Sequence, residues 1–318
     1  MARQDIFGNQ VDDFKSALEW YGVWPTTVWP VDHSDLATRK LKELIGDIGT
    51  TRLLAGSTPA AKRTVTTYRG SFRGDADNVA AWQKQTRAGS FMKPVDDESV
   101  YRGKVTASIF NPSIAAWLLN CFAPAEGLCF DPFAGGGTRA IMATKRGLRY
   151  VGVELREEEV EVVRARVERA GVSDAVTIVQ GDARECPGIP EASADFLMTC
   201  PPYWTLEQYE GGDADLSMIP DYPSFVAELG KVVRRTAEVL KPGATSCWVV
   251  GLHRDPAGVL VAMNHDVARL HAEAGFDFRE EIVLSMKNNG SIQRVGNFDK
   301  GSHRLIRQHE YCLVFTRR

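Results

Sequence analysis

The sequence predicts an α/β fold: a doubly wound, mostly parallel sheet with an antiparallel pair at one edge. Two observations predict it. From Leu128 onward, short apolar runs alternate with stretches of helical periodicity, the pattern of strand–helix–strand units with right-handed crossovers. The first run ends in a carboxylate, Asp131, and opens through Gly135-Gly136-Gly137 into a helix-like segment that starts near Thr138.

The strand-like runs are Leu128–Asp131, Tyr150–Glu154, Val176–Val179, Phe196–Thr199, Ser246–Val250, Glu281–Ser285 and Tyr311–Thr316. Helix-like stretches lie between the first five. Among them are Thr138–Lys145 and Glu157–Ala170, the latter followed by Gly171 where a helix C-terminus favours glycine. A turn over Glu273–Phe278 precedes the last two runs, which have no clear helix between them and therefore suit an antiparallel hairpin at one edge. Organisation changes near residue 105. Residues 1–104 read as an N-terminal accessory region and residues 105–318 as the main domain. In the first part, Phe14–Trp20 and Ala37–Ile48 look helical, Trp24-Pro25 and Trp29-Pro30 extended and turn-rich, and Gly56–Asp75 a loop.

Composition narrows the function classes. With 318 residues, 44% hydrophobic and 25% charged, the chain matches a soluble globular protein with one full core and an appended region. Its six cysteines show no CxxC pair and no Cys/His ligand spacing, which argues against a disulfide framework or a zinc site and fits a reducing cytoplasm. No apolar run reaches the roughly 18 residues of a membrane span, and no charged-then-apolar leader opens the chain. A net charge of −3 gives no global attraction to nucleic acid, so any polyanion contact must come from local basic patches.

The glycine loop has a defined task. Gly135, Gly136 and Gly137 permit positive φ and close backbone approach, so a nucleoside can lie against the main chain. A tight turn with no ligand would use the same residues. A dinucleotide pyrophosphate would want GxGxxG directly after the strand, and Asp131-Pro132-Phe133 would repel it; the carboxylate suits a cationic amino-acid moiety instead. Glu154 ends the second strand, where an acid binds ribose hydroxyls, and Asp182 ends the third, either as acceptor for an adenine amino group or as an ordinary cap.

Six segments in order now carry a resemblance: Ser108-Ile109-Phe110-Asn111-Pro112, Asp131 to Thr138, Val153-Glu154, Gly181-Asp182, Thr199-Cys200-Pro201-Pro202-Tyr203-Trp204, and His309 to Phe315. In this order they resemble the motifs of S-adenosylmethionine-dependent DNA amino-methyltransferases, the bacterial and phage enzymes that act on cytosine N4 or adenine N6. The resemblance covers residues 105–318. It implies a Rossmann-like class I methyltransferase fold with a seven-stranded sheet, S-adenosyl-L-methionine as cofactor, double-stranded DNA with a flipped base as partner, and a role in DNA modification such as restriction–modification. It also implies cofactor contacts from Asn111, Pro112, Asp131, Phe133, Ala134, Gly135, Gly137, Thr138, Glu154 and Asp182.

The resemblance assigns the chemistry to Cys200, Pro201, Pro202 and Tyr203. An exocyclic amine on a conjugated ring is a poor nucleophile, so it needs an N–H acceptor and a geometry that lets nitrogen become tetrahedral. In the family a polar residue ahead of Pro-Pro and the first proline's carbonyl accept those hydrogens, and the two prolines fix the backbone in advance. Tyr203 stacks on the flipped base. Position 200 departs from the pattern, since the family has Asp, Asn or Ser there. The Ser form goes with cytosine and a following Trp, which favours cytosine N4 over adenine N6. Two other readings of Cys200 stand: a thiolate that attacks a pyrimidine carbon, and a packing cysteine.

Substrate contact falls to the flanks. Arg52, Lys62, Arg63, Arg69 and Arg73 form an acid-free basic stretch that can track phosphates, or a solvated loop. A second stretch from Lys287 to Arg307 includes Lys287, Asn288, Arg294 and Arg304 and suits a DNA-contacting loop. The acids from Glu207 to Asp221 would face away from phosphates or form a lid. His253 reads as structural, because an amine methylated at a sulfonium needs no general base. An RNA or protein-amide methyltransferase and a non-catalytic DNA-binding relative are the alternative functions.

Overall fold

A computed structural model describes residues 3–4, 10–11, 27–31, 51–53, 106–108, 110–204, 209, 211–255, 257–286 and 307–318. The strands described are β1 (Arg3–Gln4), β2 (Gln10–Val11), β3 (Val28–Val31), β4 (Thr51–Leu53), β5 (Thr106–Ser108), β6 (Leu128–Asp131), β7 (Arg149–Glu154), β8 (Val176–Gln180), β9 (Ala194–Thr199), β10 (Leu240–Val250), β11 (His253–Arg254), β12 (Leu260–Val261), β13 (Phe276–Met286) and β14 (His309–Arg317). The α-helices described are α1 (Pro112–Phe122), α2 (Thr138–Lys145), α3 (Glu157–Arg169), α4 (Tyr222–Val239) and α5 (Met263–Glu273).

The main sheet runs β3-β13-β14-β10-β9-β6-β7-β8. All seven expected strands are in it. β14 alone is reversed, antiparallel to both β10 and β13. The reversed strand is interior, between β10 and β13, and Val28–Val31 pairs parallel with β13 and takes the outer position. Trp29-Pro30, expected in a turn-rich segment, therefore lies in a strand. A proline is tolerated there because an edge strand needs only one row of ladder donors. The expected turn over Glu273–Phe278 is also shorter: Gly275 turns the chain at φ 88°, and β13 has already begun at Phe276.

Because both faces are covered, strands alternate between two cores. Cys129, Phe196, Met198, Cys247 and Val249 meet α1, α2 and α3 through Ile114, Trp117, Ile141 and Val163. Phe130, Leu197, Trp248 and Val250 meet α4 and α5 through Phe225, Leu229, Val232, Val267 and Leu270. This two-sided burial explains why the strands read as continuous apolar runs. Among the described residues, no helix is long and apolar enough to cross a membrane.

Topology places the site. The chain runs from β6 outward to β7 and β8, then returns to lay β9 on the other side of β6. The switch point between β6 and β9, at the carboxyl ends of the strands, is where open α/β sheets bind ligands. Asp131 ends one of these strands and Thr199 the other.

Candidate active site

Asp131 is fully buried and organises the switch point. Its Oδ1 accepts hydrogen bonds from the Phe133 amide at 3.0 Å and Thr199 Oγ1 at 2.7 Å. Its Oδ2 accepts from Arg139 Nε at 2.6 Å and the Tyr150 hydroxyl at 2.8 Å. A carboxylate offers about four acceptor positions, and these four donors occupy them. The expected cofactor contact of Asp131 with a cationic group is thus replaced by an internal one: Arg139 is the cation that the carboxylate meets. Burial opposes the charge on Arg139, but Asp131 beside it holds the guanidinium pKa above its usual range. Arg139 also donates to the Phe133 carbonyl and lies 4.6 Å over the Phe110 ring. Burial, followed by the Asp131 charge, raises the Tyr150 phenol.

Above this hub the loop is shaped by its glycines. Gly135 and Gly137 adopt φ of 53° and 81°, and a Cβ on Gly137 would sit 3.1 Å from Val163 Cγ1, so a larger residue there meets both strain and contact. The Gly135 amide donates to Glu154 Oε2 at 2.9 Å, the Ala134 amide to the Val153 carbonyl at 2.8 Å, and Arg166 Nη1 to the Gly136 carbonyl at 2.7 Å. Glu154 thereby stands beside the loop at the end of β7. Thr138, at the first turn of α2, carries a buried Oγ1 with no hydrogen-bond partner among the described residues. A glycine cradle, a strand-end acid and an unsatisfied buried hydroxyl at a helix start fit a nucleoside cofactor held against the backbone.

The remaining expected cofactor residues are placed as follows. Asn111 caps α1, its Oδ1 accepting from the Ser113 amide at 2.8 Å, and Pro112 opens that helix. Phe133 meets Trp248 edge-on, with centroids 6.4 Å apart. Asp182 is held by Arg184, whose Nη2 donates to Oδ2 at 2.6 Å and whose amide donates to Oδ1 at 2.8 Å. Arg184 is also bound to Glu228 on α4 at 2.6 Å. Of the two readings of Asp182, the cap-like local turn is the one the geometry displays.

The diproline shelf follows Thr199 directly. Cys200 Sγ and the Tyr203 hydroxyl are 3.2 Å apart. The Tyr203 ring lies against Gly251, where a Cβ would come within 2.6 Å of Cε2. The chain then turns sharply at Trp204, whose φ is 49°, and buries its indole, with Nε1 donating to the Ile219 carbonyl at 2.8 Å. Trp204 packs near Tyr222 and His253, with centroids 5.3 and 5.8 Å away. Both His253 nitrogens are buried without a hydrogen-bond partner among the described residues, and burial, followed by the charge of Arg307, lowers its pKa.

Two acids of the segment behind the shelf have structural work. Asp215 accepts from the Ser217 amide and the Gly211 amide at 2.8 and 3.0 Å, and Asp221 caps α4. The expected nucleic-acid contacts Arg63, Arg69, Arg73, Lys287, Asn288, Arg294 and Arg304 lie outside the described residues. The six cysteines form no disulfide, and no group of metal-ligating side chains occurs among the described residues. Sequence reasoning missed Arg139 and Tyr150. The available signal for Arg139 was a lone cation beside the apolar run Ala140-Ile141-Met142.

The DNA methylase family model matches residues 9–165, and a methyltransferase domain model matches residues 131–204, from the hub carboxylate to the end of the shelf. The Type II methyltransferase M.ScaI of Streptomyces caespitosus is 32% identical over 59 residues, 19% of either chain. The tRNA (guanine(10)-N2)-dimethyltransferase of Pyrococcus abyssi is 35% identical over 95 residues, 30% of this chain and 28% of its own. The matched portion is thus less than a third of either relative. Among solved structures, the DNA modification methylase TTHA0409 of Thermus thermophilus, complexed with S-adenosyl-L-methionine, is 30% identical over 43% of this chain and 53% of its own, with a TM-score of 0.33. TrmN of Thermus thermophilus is 19% identical over 68% and 50%, with a TM-score of 0.43. The chain belongs to the S-adenosylmethionine-dependent methyltransferases, and its motifs and family match set it beside the DNA methylases.

Proposed function

We infer that the protein methylates the exocyclic amine of a base in DNA, cytosine N4 before adenine N6. The single observation that carries this reading is the hydrogen bond from Thr199 to Asp131, which ties the diproline shelf to the glycine loop. A rigid amine-binding shelf and a cofactor loop fixed to one buried hub satisfy the first demand of methyl transfer, the alignment of two reactants. S-adenosylmethionine supplies an activated methyl on its sulfonium. Glu154 and Thr138 take its nucleoside portion, Asn111 and Pro112 shape the wall at its methionine end, and Asp131 positions both halves of the site without touching either ligand. The Pro201 carbonyl accepts an N–H of the target amine, with Cys200 in the position of the family's polar residue. Tyr203, braced on Gly251, stacks on the base.

The basic stretches that hold Arg63, Arg69 and Arg73 and Lys287, Asn288, Arg294 and Arg304 contact the duplex in this reading, and residues 1–104 act as an accessory region. A second reading is favoured by the match to a tRNA guanine-N2 methyltransferase: the same shelf can accept an exocyclic amine of RNA. Incubation with methyl-labelled cofactor and equal amounts of bacterial genomic DNA and tRNA decides between them. Label in DNA supports the inference, and label confined to tRNA replaces it.

A further inference from the structure

Two of the most exposed large apolar side chains among the described residues are neighbours: Val259 at 62% and Leu260 at 42%. They belong to the hairpin of β11 and β12, in which Arg254 pairs with Leu260 and His253 with Val261. The hairpin is well braced. The Asp255 amide donates to the Val259 carbonyl at 3.0 Å, the Val259 amide to Asp255 Oδ1 at 2.8 Å, and Arg254 Nη1 to the Gly258 carbonyl at 3.0 Å. A hydrogen-bonded hairpin that holds adjacent apolar side chains in water marks a contact surface more than a loose loop would.

Its position gives the surface meaning. The hairpin leaves β10 immediately after Gly251, the residue beneath the Tyr203 ring. Its inner pair, His253 and Val261, is buried, and His253 packs near Trp204 of the shelf. The outer pair, Arg254 and Leu260, faces away. Next in sequence to Ile219, whose carbonyl the Trp204 indole holds, Met218 is 43% exposed.

The charge beside them is positive. Arg307 enters β14 from the same end of the sheet, and its guanidinium pKa is lowered by burial and further by Arg254, although Tyr311 opposes this. Arg254 is exposed and Arg307 is partly buried, and two cations near one another favour an anion between them. The nearby carboxylate of Asp255 is turned into the hairpin by the Val259 amide. An apolar edge with two cations at its foot complements a duplex from which one base has left: the vacated gap is lined by bare base faces, and the phosphates beside it are anionic.

We propose that the β11–β12 hairpin occupies the gap left by the target base, with Val259 and Leu260 covering the neighbouring base faces and Arg254 and Arg307 holding the flanking phosphates. This rests on the DNA reading above. Such an element lowers the cost of extruding a base from a duplex and has no such task on a single strand. The test is the Val259→Ser/Leu260→Ser double variant, assayed with native DNA and with the same DNA heat-denatured. Transfer to native DNA should fall about tenfold, with less than about a twofold change on denatured DNA and unchanged cofactor affinity. An equal loss on both substrates, or no loss on native DNA, overturns the proposal while leaving the DNA reading in place. Wild-type protein that labels neither form overturns both. Should the double variant fail to bind cofactor, Arg254→Gln/Arg307→Gln decides: the salt dependence of DNA binding should flatten by about two phosphate equivalents, and an unchanged slope overturns the proposal.

Discussion

Thr199 Oγ1 donates to Asp131 Oδ1 at 2.7 Å, joining the ends of β9 and β6 across the switch point of the sheet. Both groups are buried, so neither can exchange its partner for water. The hydrogen bond therefore ties the segment that leads into Pro201-Pro202 to the strand that leads into the glycine loop.

Thr199→Val keeps the shape and removes the donor. It should cost about 1–3 kcal/mol of stability in urea unfolding, because an acceptor position on a buried carboxylate is left unfilled. Methyl transfer should fall more than cofactor affinity. A variant as stable and as active as wild type would mean that the hub does not couple the two halves.

Arg139→Met leaves Asp131 without its cation and should destabilise the fold by about 3–5 kcal/mol. Adding Asp131→Asn to Arg139→Met should recover part of that loss, since the uncompensated charge is gone. Additive losses in the double variant would show that the ion pair is not the source of the cost.

Glu154→Ala should weaken S-adenosylmethionine binding about 10- to 100-fold by calorimetry, through loss of ribose contacts and of the support that Oε2 gives the Gly135 amide. Thr138→Val should weaken it less, with little change in the stability of the ligand-free protein. Unchanged affinity in a folded Glu154→Ala variant removes that residue from the site.

His271 is fully buried, stacked 3.9 Å from the Phe315 ring, and burial lowers its pKa to about 3. The folded state holds the ring neutral while the unfolded chain protonates it near its ordinary value of about 6.5. Its contribution is therefore fully present above about pH 6.5 and is lost as pH falls toward 3, at up to about 1.4 kcal/mol per pH unit. His271→Phe should flatten the acid side of the stability profile between about pH 6 and 4. An unchanged slope would mean that other groups govern acid unfolding.

The sheet was legible in sequence because its strands are short apolar runs separated by clear helix signals, and the glycine loop because few residues other than glycine tolerate its backbone angles. The parts that were not legible depend on contacts far apart in the chain or on side chains that turn inward. Arg139 looks like any helical cation until Asp131 closes over it. Asp182 looks like a ligand until Arg184, two residues on, occupies its carboxylate. The outer strand Val28–Val31 carries Trp29 and Pro30, a pair suited to a turn, and only its pairing with β13 makes it a strand. Strand and helix signals are local, whereas the surroundings of Arg139 and Asp182 are set by partners that no spacing reveals.

The most direct test of the central claim is the identity of the methylated nucleoside. DNA treated with the protein and deuterated-methyl S-adenosylmethionine is digested to nucleosides and analysed by mass spectrometry, beside Cys200→Ser and Tyr203→Ala variants and a 5-fluorocytosine substrate. The account predicts label on an exocyclic nitrogen, activity retained in Cys200→Ser, activity largely lost in Tyr203→Ala because the base has no ring to stack on, and no covalent adduct. Label on C5 of cytosine, with a stable protein–DNA adduct and an inactive Cys200→Ser variant, would contradict it.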